Sequence, residues 1–141
     1  MAQSNDAPTN ESTETVYKDY ILDVQILERQ GTGGDTEYCF DAPGHKEMVF
    51  AKPDLATLYA DIYFDVNGFE EAGTGERGVP PEIIQAGRDT LAAYFLTQPY
   101  ADVNWVASFY GKKPTKIERY VAAVRNRAEE IREGAANLGM E

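Results

Sequence analysis

From Val16 onward, apolar and polar residues alternate with a period of two. Lys18, Tyr20, Leu22, Val24 and Ile26 share one face, and Asp19, Ile21, Asp23, Gln25 and Leu27 the other. With its Tyr, Ile and Val content, this pattern predicts a strand over about 16–29. The run Gly31-Thr-Gly-Gly-Asp35 breaks it. Two short strands are expected at Glu37 to Asp41 and at Lys46 to Phe50. Between them, Ala42-Pro43-Gly44-His45 puts Pro and Gly at the central positions of a type II turn.

At Pro53 the period changes to about 3.6. Leu55, Leu58, Tyr59, Ile62 and Val66 mark one helical face, and Asp54, Asp61 and Asp65 the other, with Asn67-Gly68 as a C-terminal stop. After a Gly-rich loop over 69–79, Pro80-Pro81 opens a second helix whose face carries Ile84, Gly87, Leu91, Tyr94 and Phe95. Pro99 ends it and begins a third, with Tyr100, Val103, Val106 or Ala107, and Tyr110 on its apolar side and Gly111 closing it. In the last helix, Thr115 and Glu118 form a capping box. Ile117, Val121, Val124, Ala128, Ile131, Ala135 and Leu138 then follow at alternating spacings of four and three, an a/d seam. The fold expected is α+β: an N-terminal three-stranded antiparallel β-meander (16–50) followed by a bundle of about four helices (53–138). Together these make one domain over 16–141, with residues 1–15 a flexible acidic and polar tail.

A chain of 141 residues with 43% hydrophobic residues can bury a core without disulfide or metal. No stretch approaches a membrane span, and the first fifteen residues lack the basic start and apolar run of a signal peptide. A single cysteine, Cys39, excludes an internal disulfide. The expectation is a soluble, cytoplasmic protein that does not engage membrane. The net charge of −11 opposes nucleic-acid binding by the chain as a whole, and so acidic a surface also suits a high-salt, halophilic cytoplasm. The charge is segregated. Residues 1–41 hold nine acids and two bases, residues 42–111 ten and four, and residues 112–141 five and seven. Within 112–127, Lys112, Lys113, Lys116, Arg119, Arg125 and Arg127 face only Glu118.

Few residues suggest chemistry. Gly73-Thr-Gly75-Glu-Arg-Gly78 fits G-x-G-x-x-G, but it follows a helix rather than a strand, and the double proline removes N–H donors that a phosphate would need. Gly31 to Asp35 has no Lys followed by Ser or Thr, which a P-loop requires. Cys39, Asp41 and His45 are three mixed ligands where zinc takes four, and a Cys–His nucleophile pair is the other chemical reading. Cys39 reads better as a small buried hydrophobe and His45 as an exposed turn residue. Asp61 and Asp65 stand four apart, a spacing used in acid–base or Ca²⁺ sites, but read as a solvated helix face. No catalytic residue, metal or cofactor is therefore expected.

Tyr94, Phe95, Tyr100, Trp105, Phe109 and Tyr110 make a dense aromatic region that reads as core before it reads as a ligand cleft or a partner-facing hot spot, and Trp105, which falls off the apolar face of its helix, is the best single candidate for a contact residue. The sites singled out for partner binding are Trp105, Lys112, Lys113, Lys116, Arg119, Arg125 and Arg127. Pro80-Pro81-x-Ile83-Ile84-x-Ala86, running into Leu91-Ala-Ala-Tyr94-Phe95-Leu96, resembles the helix start of head–tail adaptor (connector) proteins of tailed viruses. The likeness covers fewer than twenty residues, and those proteins open with helices where this chain opens with strands. It transfers no functional residue.

Three functions follow as expectations. The first is a non-enzymatic structural or assembly subunit of a homo- or hetero-oligomer, an adaptor-type virion component among them. Its basic helix would dock on an acidic partner or on the acidic N-terminal region of a neighbouring copy, head to tail. The second is a small-molecule-binding protein or enzyme using the region around Trp105. The third is an acidic mimic of nucleic acid.

Overall fold

Backbone reversal within residues 20–24 divides the expected long strand in two. In the computed structural model, which describes residues 14–31, 33–69 and 79–139, Leu22 and Asp23 both take positive φ (62° and 61°). The Val24 N–H closes the turn onto the Ile21 carbonyl at 3.4 Å. Positive φ at both central residues marks the type I′ turns that suit the twist of a hairpin. The pattern misleads because Leu22 has the hydrophobicity of a strand residue and none of the usual turn chemistry. Strands β1 (Thr15–Asp19), β2 (Gln25–Gln30), β3 (Thr36–Asp41) and β4 (Met48–Phe50) therefore form a four-stranded antiparallel meander, not a three-stranded one. Thr15, expected in the tail, already pairs with Glu28, and the register slips between Val16 and Lys18 as a β-bulge. The predicted turn at 42–45 is present, with the His45 N–H on the Ala42 carbonyl and Gly44 at φ 69°. Of the tail expected over 1–15, residues 1–13 lie outside the described residues, as does the G-x-G-x-x-G stretch (73–78).

Helices α1 (Pro53–Asp65), α2 (Pro81–Ala86), α3 (Arg88–Leu96), α4 (Val103–Tyr110) and α5 (Pro114–Asn137) follow, five among the described residues where the sequence predicts about four. The extra boundary is Gly87, which the apolar spacing places on a continuous helical face. At φ 125° and ψ 173° it ends α2 and caps the start of α3. An L side chain rarely adopts that backbone, so the glycine permits the corner. Helix α4 starts at Val103, not at Pro99, because the Asp102 carboxylate accepts the Trp105 N–H at 2.8 Å as an N-cap. Gly111 closes it in the left-handed region, as the sequence indicates. Helix α5 begins at Pro114, with Lys113 as N-cap and no side-chain cap bond. Thr115 then lies inside the first turn, two positions past the N-cap that the expected capping box requires.

Alternation gives the sheet two unlike faces. Ile26, Phe40 and Phe50 point to the helices and join the core with Ala56, Tyr59 and Ile62 of α1. Tyr59 is fully buried, its ring 5.0 Å from Phe40, 5.3 Å from Phe50 and 5.5 Å from Phe69. Beyond α1 lie α3 and α5, and α4 packs on those two. The α5 seam faces its own bundle through Ile117, Val124 and Ala128, all buried. Past Ile131 it opens to solvent, and Leu138, beyond the helix end, is exposed.

Candidate functional site

Of the six cations singled out on α5 and the turn before it, two serve the fold. The Arg127 guanidinium grips Asp65 along one edge, Nε to Oδ1 at 2.7 Å and Nη2 to Oδ2 at 3.0 Å, and reaches Asp89 Oδ2 with Nη1 at 2.8 Å. Thr90 Oγ1 donates to Asp65 at 2.8 Å and accepts from Arg127 Nη2 at 3.2 Å. Arg125 Nη1 lies 2.7 Å from Asp61 Oδ2, and Arg132 Nη1 lies 2.8 Å from Asp61 Oδ1. Asp61 and Asp65 are thus not a solvated face. Their side chains are 8% and 5% exposed because arginines of α5 reach over them. Burial alone would raise the Asp89 carboxyl, but Arg127 and the Thr90 N–H outweigh it and hold that group below its usual range. These charge-assisted bonds tie α1, α3 and α5 together and fix the direction in which α5 presents its first turns.

The other four cations remain at the surface. Lys112, Lys113, Lys116 and Arg119 are exposed, and Glu118 is the one carboxylate among them in sequence. Lys116 Nζ stands 5.5 Å over the Tyr120 ring.

Next to this basic turn, α4 displays aromatic surface. Trp105 and Phe109, four residues apart on one helix face, stack with an interplanar angle of 8° and centroids 5.5 Å apart. Tyr100, on the segment before α4, meets the Trp105 ring edge-on at 5.2 Å. Their exposures are 57% for Tyr100, 38% for Trp105 and 49% for Phe109. Phe95 of α3 backs both Trp105 and Phe109 from the core, at 5.8 and 5.3 Å. The expected aromatic region therefore divides: Tyr94 and Phe95 are core, and Tyr100, Trp105 and Phe109 are surface. Tyr110, between the two groups, has a buried hydroxyl, and desolvation pushes its pKa up to about 12.

Cys39 and His45, weighed together as ligands or a nucleophile pair, lie on opposite faces of the sheet. The His45 ring packs inward on Phe40, Tyr59, Tyr63 and Phe69. Its Nδ1 lies 3.0 Å from the Phe69 carbonyl and its Nε2 2.8 Å from the Tyr59 hydroxyl. A carbonyl only accepts, so Nδ1 carries the proton, and in the neutral ring Nε2 accepts from Tyr59. This is a half-buried structural histidine and not the exposed turn residue expected. Cys39 points to the outer face and is fully buried among its neighbours, which pushes its thiol up to about 11. Among the described residues no three His, Cys, Asp or Glu side chains are placed to hold a metal ion, and no helix is long and apolar enough to cross a membrane.

Sequence reasoning missed two features of this surface. One is the row Val16, Leu27, Cys39 and Val49, which runs in register across all four strands on the outer face. Its signal was the period-2 pattern itself, obscured by treating 16–29 as one strand. The other is an open apolar cavity of about 380 Å³ between the β1–β2 turn and the end of α5, lined in part by Leu22, Val24, Tyr63, Phe64 and Ile131.

No protein-family model matches the chain, and no curated protein or solved structure shows significant similarity to it.

Proposed function

We propose that the chain is a non-enzymatic assembly subunit that docks a protein partner through α4 and the start of α5. The observation that carries this reading is the exposed ribbon of Tyr100, Trp105 and Phe109 beside four cations not used by the fold. Protein interfaces are enriched in aromatic residues and arginine and centre on apolar contacts inside a polar rim. Aromatic rings held rigidly, as the stacked Trp105–Phe109 pair is, lose little entropy on docking. The cationic rim calls for a partner surface bearing carboxylates. The likeness of residues 80–96 to head–tail adaptors offers a virion as one setting.

Native mass spectrometry of the chain isolated from its own cells at low salt tests the proposal. The wild type is expected in a complex larger than its 15.7 kDa monomer. A variant carrying Trp105→Ser, Lys112→Glu and Lys116→Glu is expected at monomer mass. Wild type recovered only as monomer would overturn the reading.

A further inference from the structure

The partner surface with the matching chemistry is present on the chain itself. On the outer face of the sheet, Val16 pairs with Leu27, Leu27 with Cys39 and Cys39 with Val49, so one apolar row crosses four strands. Strands lie about 4.8 Å apart, which makes the row about 14 Å long. Its exposed parts are the two end valines, Val16 at 55% and Val49 at 46%, while Leu27 is half-buried and Cys39 is enclosed beneath its neighbours. Among the described residues no helix lies over this face, since the core on which α1 packs is built from Ile26, Phe40 and Phe50 on the other side.

Carboxylates surround the row. Two residues along each strand, and so on the same face, Arg29 is met by Glu37 at 2.8 Å, Glu47 at 3.3 Å and Glu14 at 3.6 Å. Three carboxylates on one guanidinium leave that side of the row negative. On the other side Gln25 donates to Asp41 at 2.9 Å. An apolar strip with an acidic rim is the complement of an aromatic ribbon with a basic rim, in both polarity and sign of charge.

The geometry points to a second copy of this chain as the occupant: the Tyr100–Trp105–Phe109 ribbon of one copy seats on the Val16–Leu27–Val49 row of the next. Lys112, Lys113, Lys116 and Arg119 then face the neighbour's Glu14, Glu37 and Glu47. The inference rests on the assembly reading and names its partner. The two surfaces lie on different layers, with α1, α3 and α5 between them. A two-fold dimer cannot satisfy both surfaces of both copies at once, so the contact is heterologous and propagates into a ring or a filament.

The test uses two single variants and their mixture. Val49→Lys spoils the sheet face and leaves the ribbon, while Trp105→Ser spoils the ribbon and leaves the sheet face. Both positions are exposed, and circular dichroism with urea midpoints verifies that each variant folds. By sedimentation velocity at low ionic strength, wild type is expected to form species that grow with concentration, and each variant alone is expected to be monomeric. An equimolar mixture is expected to form a 1:1 dimer and stop there, because Val49→Lys offers the intact ribbon and Trp105→Ser the intact sheet face. A mixture that stays monomeric, or a Val49→Lys protein that still self-associates, would overturn the inference. So would wild type that remains monomeric at the highest attainable concentration. If that monomer nevertheless enters a larger complex in its own cells through Trp105, the assembly reading stands and only the identity of the partner falls.

Discussion

Replacing Asp61 with asparagine removes a charge from a carboxylate enclosed between helices and shared by two arginines. The Asp61 side chain is 8% exposed and accepts two short charge-assisted bonds, from Arg125 at 2.7 Å and Arg132 at 2.8 Å. Asparagine keeps one acceptor oxygen and turns an amide N–H₂ towards the second guanidinium. One charge-assisted bond is worth about 1.5–3 kcal/mol, and removing one partner of a fully buried pair costs about 3–5 kcal/mol. Arg125 is 36% exposed and can turn to water, whereas Arg132, at 19%, is held over the Tyr20 and Phe64 rings at 5.1 Å from each. The loss therefore falls near 2–3 kcal/mol, or about 6–12 °C in Tm for a domain of this size. Urea unfolding followed by far-ultraviolet circular dichroism measures it, with an unchanged slope against denaturant showing that the native fold is kept. Glu14→Gln is the reference, because the exposed Arg29–Glu14 pair spans 3.6 Å and is worth less than about 0.5 kcal/mol. If Asp61→Asn cost no more than Glu14→Gln, the claim that α5 is fastened through buried carboxylates would be wrong.

Three further outcomes follow from local geometry. Gly87→Ala is expected to lower stability by about 1–2 kcal/mol, read as a shifted urea midpoint, since φ 125° suits no L side chain even though a Cβ there would meet only Asp89 Oδ1 at 3.7 Å. Leu22→Asn is expected to raise stability by up to about 1 kcal/mol, because Asn tolerates the left-handed backbone that Leu22 holds at φ 62°; a loss instead would mean that Leu22 contributes more by covering the adjacent cavity. Cys39 is expected to react slowly with a thiol-specific disulfide reagent in the native protein and rapidly in urea. Its folded pKa, about 11, exceeds the unfolded value of 9.0, so its contribution to stability is intact below pH 9 and is lost as pH rises from 9 to 11. A Cys39→Ala variant should lack that alkaline component, and an identical alkaline profile would refute the assignment.

Elements with their own local grammar were legible in the sequence. Pro43-Gly44 set its turn, Gly111 ended its helix, and the four-three spacing of Ile117 to Ala128 marked a buried seam. Elements decided by distant partners were not. Asp61 and Asp65 have the spacing of a wet helix face, and only the arrival of Arg125, Arg127 and Arg132 from more than sixty residues away makes them interior. The attraction between a basic last helix and acidic residues was visible, but it is met within the chain by the arginines and leaves the lysines and Arg119 at the surface. The β1–β2 turn escaped because it uses Leu22 and Asp23 where Asn-Gly would have announced it. The outer-face row was invisible until that turn put Val16 beside Leu27.

The bulge in β1 and the brevity of β4 bear on how such a protein avoids uncontrolled association. A sheet most readily recruits foreign strands at its margins, where unpaired N–H and C=O groups stand open. Here one margin is kinked at Tyr17 and bears Lys18 and Asp19, and the other is three residues long. Neither margin offers a straight template for another backbone. Edges so built disfavour hydrogen-bonded edge growth, which any extended segment can join, and leave the sheet only side-chain matching across a face, which depends on sequence.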